Sequence, residues 1–341
     1  MRGLAIILVV ASHAYWRDFV MGGPTGVAVF FALSGYLITG LLLREQDRTG
    51  RIRLRDFYAR RARRLLPALV TFLVVMVALG QLLGPAFATW RDALPTLFYV
   101  QNFAHMDPWL SHTLGHTWSL SIEEQFYVAF PLLLIAVGRF VAASRLVVVL
   151  GAAAALLLGL RIALWASGAS FERFYYGTDT NAGLILIGAA AAAWCHTRGP
   201  LKRDLTRWLP LVVAALVVLG FVADRQSARA VVPILAGLLT VLTLLVCHDR
   251  PARGWLTPGW LVLVGRRSYG LYLWHYPLFH VLQPRMPERW WTTLILVGVA
   301  WLLTLISWHF VEEPVLNRGP ARTGRDRTRR PSARLSVRAV G

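Results

Sequence analysis

A series of apolar runs, each near the length that crosses a lipid bilayer, dominates the amino-acid sequence. The runs at 65–83, 146–165, 208–223 and 290–311 approach the roughly 20 residues that a helix needs to span a ~30 Å hydrocarbon layer. One or two such runs can be core helices of a soluble protein, but so many in series cannot. The chain is 56% hydrophobic and 16% charged, which is too apolar for a water-soluble domain. The sequence therefore predicts an all-α, polytopic integral membrane protein.

About ten transmembrane helices are predicted from the spacing of these runs. Their expected positions are 3–16, 25–43, 65–84, 118–138, 146–166, 181–196, 208–223, 231–248, 261–282 and 290–312. The apolar stretch 94–104 is too short to span a bilayer and is expected to be re-entrant or interfacial. Residues 1–317 then form a transmembrane domain, and the Arg-rich residues 318–341 form a disordered cytoplasmic tail.

The basic residues predict how this domain is oriented. The formal net charge is +19, and nearly all Lys and Arg residues fall in short connections between the apolar runs. The connections on one side, together with the C-terminal tail, hold 25 Lys and Arg residues, whereas those on the other side hold 7. Because positively charged loops remain in the cytoplasm, both termini are predicted to be cytoplasmic. The charge is thus a topology signal, and no nucleic-acid partner is expected.

The two cysteines, Cys195 and Cys247, lie in or at the ends of apolar segments without metal-ligand spacing. They predict neither a disulfide framework nor a metal site, so no metal is expected. The first apolar segment begins at Met1 and is short for a membrane span. We therefore expect the natural start to lie upstream.

Two ionisable residues share one face of the first predicted helix. Arg2 and His13 are eleven positions apart, and eleven steps of about 100° return to within roughly 20° of the starting direction. The two side chains are then about 16 Å apart along the helix. A single histidine at a helix end is more often a packing residue, but ionisable residues inside a membrane are costly and favour a functional interpretation.

A cluster of arginines precedes the third predicted helix on the cytoplasmic side. Arg60, Arg61 and Arg64 lie in a connection with nine basic residues, more than a positive anchor requires. Arg60 and Arg64 are also spaced to share a helical face. Guanidinium groups suit phosphate, and coenzyme A carries a pyrophosphate and a 3′-phosphate. A guanidinium cluster at the cytoplasmic mouth is what a channel for acyl-CoA would require.

The fourth predicted span opens with two adjacent carboxylates, Glu123 and Glu124. They cannot both face lipid, so at least one is expected to line a cavity or to pair with a cation. We assign Glu123 to the functional site and consider a structural pair with an arginine for Glu124. The predicted topology places both towards the outer side, as it does His13.

These residues belong to segments that resemble the acyltransferase-3 family of membrane O-acyltransferases, which modify sugars of polysaccharides, lipids and glycosylated natural products. The similar segments include Arg2-Gly3-Leu4-Ala5, Phe30-Phe31-Ala32-Leu33-Ser34-Gly35, Arg60-Arg61, Trp118-Ser119-Leu120, Tyr272-Leu273-Trp274-His275 and Glu312-Glu313-Pro314. They occur in the family's order along nearly the whole chain. The chain ends in a basic tail, so it resembles the members that lack a second, extracytoplasmic esterase-like domain.

The resemblance implies that His13 is the catalytic histidine, that Arg2 belongs with it, and that the arginine cluster helps to hold acyl-CoA. We add Trp118, Ser119 and Tyr127 as candidates for the acceptor site. One position departs from the family, because Asn181 stands where an arginine often follows the threonine of a similar motif. Any role of that position is left open.

The expected reaction transfers an acyl group, most simply acetyl from acetyl-CoA, to a hydroxyl of a carbohydrate or glycosylated acceptor. His13 would act as general base, with Glu123 orienting the imidazole or the acceptor, and no cofactor is expected to be permanently bound. An acyl-histidine intermediate is the alternative mechanism. His275 is interpreted as structural. The alternative function is a transporter or permease in the same multi-pass arrangement in the cell membrane, although no internal repeat is evident.

Overall fold

The computed structural model describes residues 1–14, 22–84, 86–105, 112–199, 201, 203–222, 226–248 and 258–317. Within these residues the chain is helical and contains no strand. The α-helices are α1 (Arg2–His13), α2 (Gly23–Thr49), α3 (Leu54–Leu83), α4 (Trp90–Leu97), α5 (Gln101–Ala104), α6 (Trp118–Gly138), α7 (Ala143–Ala166), α8 (Phe171–Tyr176), α9 (Thr178–Arg198), α10 (Leu209–Val222), α11 (Gln226–Cys247), α12 (Gly259–Arg266), α13 (Ser268–Pro277), α14 (Trp290–Ser307) and α15 (Glu313–Asn317). Short 3₁₀ turns precede α6 and α10, and π-helical turns follow α13 and α14.

The described helices confirm an all-α, multi-pass membrane protein. Six helical stretches are long and apolar enough to cross a bilayer, and two further apolar helices, Arg2–His13 and Thr206–Phe221, are shorter. Large apolar side chains such as Val74, Val148 and Leu302 are more than half exposed, as expected on surfaces that face lipid. The count of ten and the cytoplasmic placement of both termini stay predictions, and the predicted tail at 318–341 lies outside the described residues.

Helix α2 occupies the centre of the bundle, where it packs against α1, α9 and α11. It follows Gly22 and carries Pro24 in its first turn, where a missing backbone N–H leaves no hydrogen bond unmade. It ends at Gly50, whose φ of 71° lies in the left-handed region that glycine adopts without strain. The helix therefore extends beyond the predicted end at residue 43.

The structure corrects the predicted start of the third helix. Helix α3 begins at Leu54, not at residue 65, so Arg60, Arg61 and Arg64 lie within its N-terminal turns instead of in a loop. Arginine is a good helix former, and a helix continues past its apolar part when its charged residues avoid lipid. The length of the apolar run shows where the hydrocarbon layer ends. The helix itself extends beyond that point towards its N-terminus and begins directly after the connection 50–53.

The segment predicted as one helix over 261–282 is broken in the structure. Helix α12 ends at Arg266, Arg267 has φ −99° and ψ 5°, and α13 then begins at Ser268. Beyond Pro277 the backbone forms a π-helical turn over Leu278–Leu282. The break separates an exposed apolar helix from α13, whose residues are mostly buried, and it places Arg266 and Arg267 in the lining of one pocket.

Helices α2 and α9 approach each other through two glycines. A Cβ built on Gly35 would lie 1.8 Å from the carbonyl oxygen of Ile185, and one built on Gly188 would lie 1.9 Å from that of Ala32. No side chain fits at either position unless the two backbones separate. Small residues that allow such an approach are typical of helix packing in membranes. This contact fixes the position of α9 against the central helix.

We expect Gly35→Ala and Gly188→Ala each to destabilise the protein by about 2 kcal/mol or more, because overpacking against rigid backbone forces the helices apart. The measurement is the midpoint of thermal unfolding of detergent-purified protein. Gly151→Ala in α7 is the matched control, since nothing lies within 4 Å of its added Cβ. An unchanged midpoint for both test variants would contradict the close approach.

Candidate active site

The predicted catalytic histidine lines a cavity of about 290 Å³, named here the histidine chamber. His13 at the end of α1 faces it, and the surrounding walls are largely aromatic. The ring-bearing residues that line it include His116, Trp118, Tyr175, Tyr176, Tyr272 and Tyr276. The ring centroid of His13 lies 5.3 Å from that of His275 and 4.9 Å from that of Tyr276. Helices α1 and α13 thus position the imidazole together.

A hydrogen bond at one ring nitrogen defines the tautomer of the His13 imidazole. Its Nδ1 lies 2.9 Å from the backbone carbonyl oxygen of Val9, and Ser12 Oγ donates to the same oxygen at 2.7 Å. A carbonyl oxygen only accepts, so in the neutral ring Nδ1 carries the proton and Nε2 carries the lone pair. This arrangement leaves Nε2 as the atom that can accept a proton.

Two more histidines surround His13, and sequence analysis gave neither a functional role. His275 is fully buried, with Nδ1 bonded to the carbonyl oxygens of Leu271 and Tyr272 and no hydrogen-bond partner for Nε2 among the described residues. His116 is 5% exposed, and within the described chain neither of its ring nitrogens has a partner. The two ring centroids are 5.7 Å apart. Buried unpaired nitrogens are costly, and the position of His116 in the lining of the histidine chamber indicates function.

A second cavity of about 110 Å³, the glutamate chamber, contains most of the other predicted site residues. It is lined by Arg2, Ser34, Arg61, Arg64, Ser119, Glu123 and Tyr127. Glu123 accepts hydrogen bonds from the hydroxyl groups of Ser34 and Tyr127. It therefore lies in a different chamber from His13, and its hydrogen bonds hold α6 to α2 instead of orienting the imidazole.

The two chambers share a wall formed by Val27 and Tyr272. The Tyr272 hydroxyl donates to the backbone carbonyl of His116 at 2.6 Å and lies 2.7 Å from Ser119 Oγ. Of the candidate acceptor residues, Trp118 lines the histidine chamber, whereas Ser119 and Tyr127 line the glutamate chamber. The structure therefore divides these candidates between the two cavities, with Tyr272 at their boundary.

Arg61 and Glu124 form an ion pair that contradicts the predicted placement of the two groups on opposite sides of the membrane. Arg61 Nη2 lies 2.5 Å from Glu124 Oε1, and its guanidinium lies 3.4 Å from the ring centroid of Tyr127. The prediction placed the arginine cluster at the cytoplasmic mouth and the carboxylates towards the outer side, yet they are in contact. The two predicted positions are therefore incompatible, and the candidate span that contains α6 begins at Thr113, before Trp118.

The three predicted cofactor-binding arginines do not act as one group. Arg61 and Arg64 line the glutamate chamber together with Arg2. Arg60 is 47% exposed and pairs with Glu45 of α2 at 3.4 Å, outside that chamber. The expected shared face of Arg60 and Arg64 is therefore wrong, because α3 turns Arg61 and Arg64 towards the chamber and Arg60 towards Glu45.

Arg161 is a buried charged residue that sequence analysis missed. It is 0% exposed, and its guanidinium donates to the carbonyl oxygens of Phe174, Arg229 and Ala230 and to Asn181 Oδ1. The guanidinium thus ties α7 to α8, α9 and α11, and Asn181 serves as its hydrogen-bond acceptor. A charge in the apolar run 146–165 was the signal that could have identified it.

A helical membrane fold with buried histidine, arginine and carboxylate side chains around adjoining cavities is typical of a membrane enzyme. The family profile described as an acyltransferase domain matches residues 1–311. The chain therefore belongs to this acyltransferase-3 family. No solved structure matches the chain.

Curated relatives of the chain are O-acetyltransferases. It is 32% identical over 351 residues to the peptidoglycan O-acetyltransferase OatA of Listeria monocytogenes, which covers 94% of this chain and 55% of the relative. It is 33% identical over 357 residues to the putative peptidoglycan O-acetyltransferase YrhL of Bacillus subtilis, covering 94% and 54%. For the O-acetyltransferase OatA of Staphylococcus aureus the identity is 30% over 347 residues, covering 94% and 57%. The chain spans about half the length of these relatives.

The Arg61–Glu124 pair generates a stability prediction. Arg61→Met or Glu124→Leu alone leaves one largely buried charge without its partner, so each is expected to destabilise the protein by about 2–3 kcal/mol. The double variant removes both charges, so its loss should be smaller than the sum of the single losses by more than about 1 kcal/mol. The measurement is unfolding by SDS titration in mixed micelles.

The matched control is the exposed pair of Arg173 and Asp179, whose side chains are both 40% exposed and form two hydrogen bonds of 2.8 and 2.6 Å. Exposed pairs contribute little, so the same cycle on this pair should give a coupling below about 1 kcal/mol. Additive losses at Arg61 and Glu124 would show that their contact does not stabilise the bundle.

Proposed function

We propose that the chain transfers an acetyl group from acetyl-CoA to a hydroxyl group of a peptidoglycan-type glycan, with His13 as general base. One observation carries this proposal. The chamber that His13 faces adjoins, through Val27 and Tyr272, a second chamber lined by arginines. A proton acceptor and a cationic site for a phosphorylated donor are therefore adjacent within one membrane domain.

The acceptor is inferred from the relatives and from the form of the histidine chamber. The names of the OatA and YrhL relatives specify peptidoglycan or O-acetyl transfer. The chamber of about 290 Å³ has aromatic walls that include Trp118 and Tyr176. Concave sites with apolar walls and a few polar groups suit small ligands, and a sugar ring presents both apolar C–H faces and hydroxyl groups.

The donor is inferred from the arginines at the opposite end of α1. Arg2 and Arg64 line the glutamate chamber without an ion pair to any described residue, whereas Arg61 is neutralised by Glu124. Helix α1 is about 16 Å long between Arg2 and His13, a distance that an extended phosphopantetheine arm can follow. The thioester would then reach the boundary at Tyr272 while the phosphates remain near the arginines.

The proposed reaction proceeds in two proton-balanced steps. Nε2 of His13 removes the proton of the acceptor hydroxyl as its oxygen attacks the thioester carbonyl, giving a tetrahedral intermediate. The intermediate then expels the coenzyme A thiolate, which takes the proton from the His13 imidazolium. The products are the acetyl ester and coenzyme A, and the Val9 carbonyl keeps Nδ1–H in place throughout.

The proposed location is the cell membrane, with the donor taken from the cytoplasm. The positive residues of α3 and its neighbouring connections lie at the end where Arg2 and Arg64 are found, in keeping with a cytoplasmic donor. His13 lies at the opposite end of α1, so the acceptor would enter from the other side. The acetyl group would thus cross part of the membrane within the protein.

His13→Ala should lower the rate of acetyl transfer by about 10²–10⁴-fold, the usual contribution of general base catalysis. Transfer is measured with purified protein, labelled acetyl-CoA and a peptidoglycan fragment, followed by mass spectrometry of the fragment. Binding of acetyl-CoA should be retained. A His13→Ala variant that elutes as folded protein in gel filtration and transfers at near wild-type rate would refute the proposal.

His309→Ala is the control, since that side chain is 72% exposed and remote from the histidine chamber. It should retain wild-type activity. His275 is unsuitable as the control because its buried ring contacts that of His13. The alternative acyl-histidine mechanism is tested separately, because it predicts ping-pong kinetics and acetylated His13 when acceptor is omitted, whereas direct transfer requires both substrates together.

A further inference from the structure

A third cavity, named here the arginine pocket, lies beside the glutamate chamber and has a volume of about 790 Å³. It is formed where the first residues of α1 meet the junction between α12 and α13 and the turn after α14. Four arginines line it: Arg2, Arg64, Arg266 and Arg267. Sequence analysis assigned no role to the last two.

The arginine pocket has a surplus of positive charge. Glu312 is the one carboxylate in its lining, and its Oε1 accepts a hydrogen bond from Ser307. None of the four arginines forms an ion pair with a described residue, and the buried Nε of Arg267 has no hydrogen-bond partner there. One carboxylate does not balance four guanidinium groups, so the lining is complementary to a ligand with several negative charges.

The other walls of the pocket are suited to an apolar or aromatic group. The guanidinium of Arg267 lies 3.6 Å from the ring centroid of Trp308, and Leu261 and Leu316 also line the cavity. A ligand that combines phosphates with a flat base would meet both kinds of surface. Arginine forks bind phosphate oxygens, and guanidinium and indole planes support stacking.

The pocket also adjoins the proposed route of the donor. Arg2, Arg64 and Tyr269 line both the arginine pocket and the glutamate chamber. The three cavities therefore follow one another from Arg267 to His13, with α1 along their length. A ligand with a polyanionic end and a long narrow arm matches this sequence of spaces.

We propose that the arginine pocket binds the phosphorylated nucleotide end of the acyl-CoA donor, with Arg266 and Arg267 holding phosphate groups beside Trp308. The inference rests on the proposed function, and it extends the donor site beyond the arginine cluster of α3. In this assignment Arg266 and Arg267, at the break between α12 and α13, take the donor-binding role that was predicted for Arg60. An anionic phospholipid headgroup offers the same phosphate chemistry, so the experiment separates the two sources.

The kinetic test compares acetyl-CoA with S-acetylpantetheine, which has the thioester arm but no nucleotide. In the Arg266→Gln/Arg267→Gln double variant, the KM for acetyl-CoA should rise by about tenfold or more, because two charge-assisted hydrogen bonds are lost. The kcat/KM for S-acetylpantetheine should stay within about twofold of wild type. Arg207→Gln is the matched control, since Arg207 also lies over a tryptophan, Trp208, but is remote from the pocket. Equal losses with both donors would overturn the proposal.

A binding test does not depend on turnover. Adenosine 3′,5′-bisphosphate should bind the detergent-purified wild-type protein and bind the double variant about tenfold or more weakly, as measured by calorimetry. Absence of acetyl transfer combined with this result would refute the proposed function while supporting a nucleotide site. Equal nucleotide binding by both proteins, with less phosphatidylglycerol retained by the variant, would assign the pocket to lipid instead. The exposed Arg266→Gln single variant should show the same trend if the double variant fails to fold.

Discussion

The free-energy cost of placing ionisable groups in hydrocarbon determines how the helices of this bundle are arranged. Arginines, histidines and glutamates that occur within or beside apolar helices must turn inward, and each must find a partner, a cavity or a ligand. Arg161 satisfies this requirement with backbone carbonyl oxygens, and Arg61 satisfies it with Glu124 and Tyr127. These contacts tie α7 to α8, α9 and α11, and α3 to α6, so satisfying the charges also sets the helix arrangement.

Some of the groups that are not satisfied among the described residues lie beside α1. Arg2 at its start lines the glutamate chamber, and His116 near its end, whose ring nitrogens have no partner among the described residues, lines the histidine chamber. A buried polar group without a partner destabilises the folded protein, so its retention beside a cavity is typical of a functional site. The stabilising pairs and the reactive groups therefore occupy different positions in the same interior, and the close contact of α2 with α9 keeps that interior fixed.

The positions of the apolar helices were largely predictable, but their ends and breaks were not. Hydropathy identified the cores of α2, α3, α6, α7 and α14, because lipid imposes apolar length directly. It could not identify where a helix continues into polar surroundings, as α3 does through its arginines. It also could not detect the break at Arg267, because an apolar run has the same hydropathy whether it forms one helix or two.

The sequence by itself determined that this is an α-helical, multi-pass membrane protein, and it selected His13, Arg2 and Glu123 as candidate catalytic residues. The membrane architecture follows from local properties, namely apolar length and the cost of charge in lipid, whereas the choice of His13 and Arg2 also rests on the resemblance to the family. Only the tertiary structure decided that Glu123 and His13 occupy separate chambers and that Arg60 faces away. Contacts between helices depend on packing between residues far apart in the chain, such as the backbone approach at Gly35, and no local property specifies them.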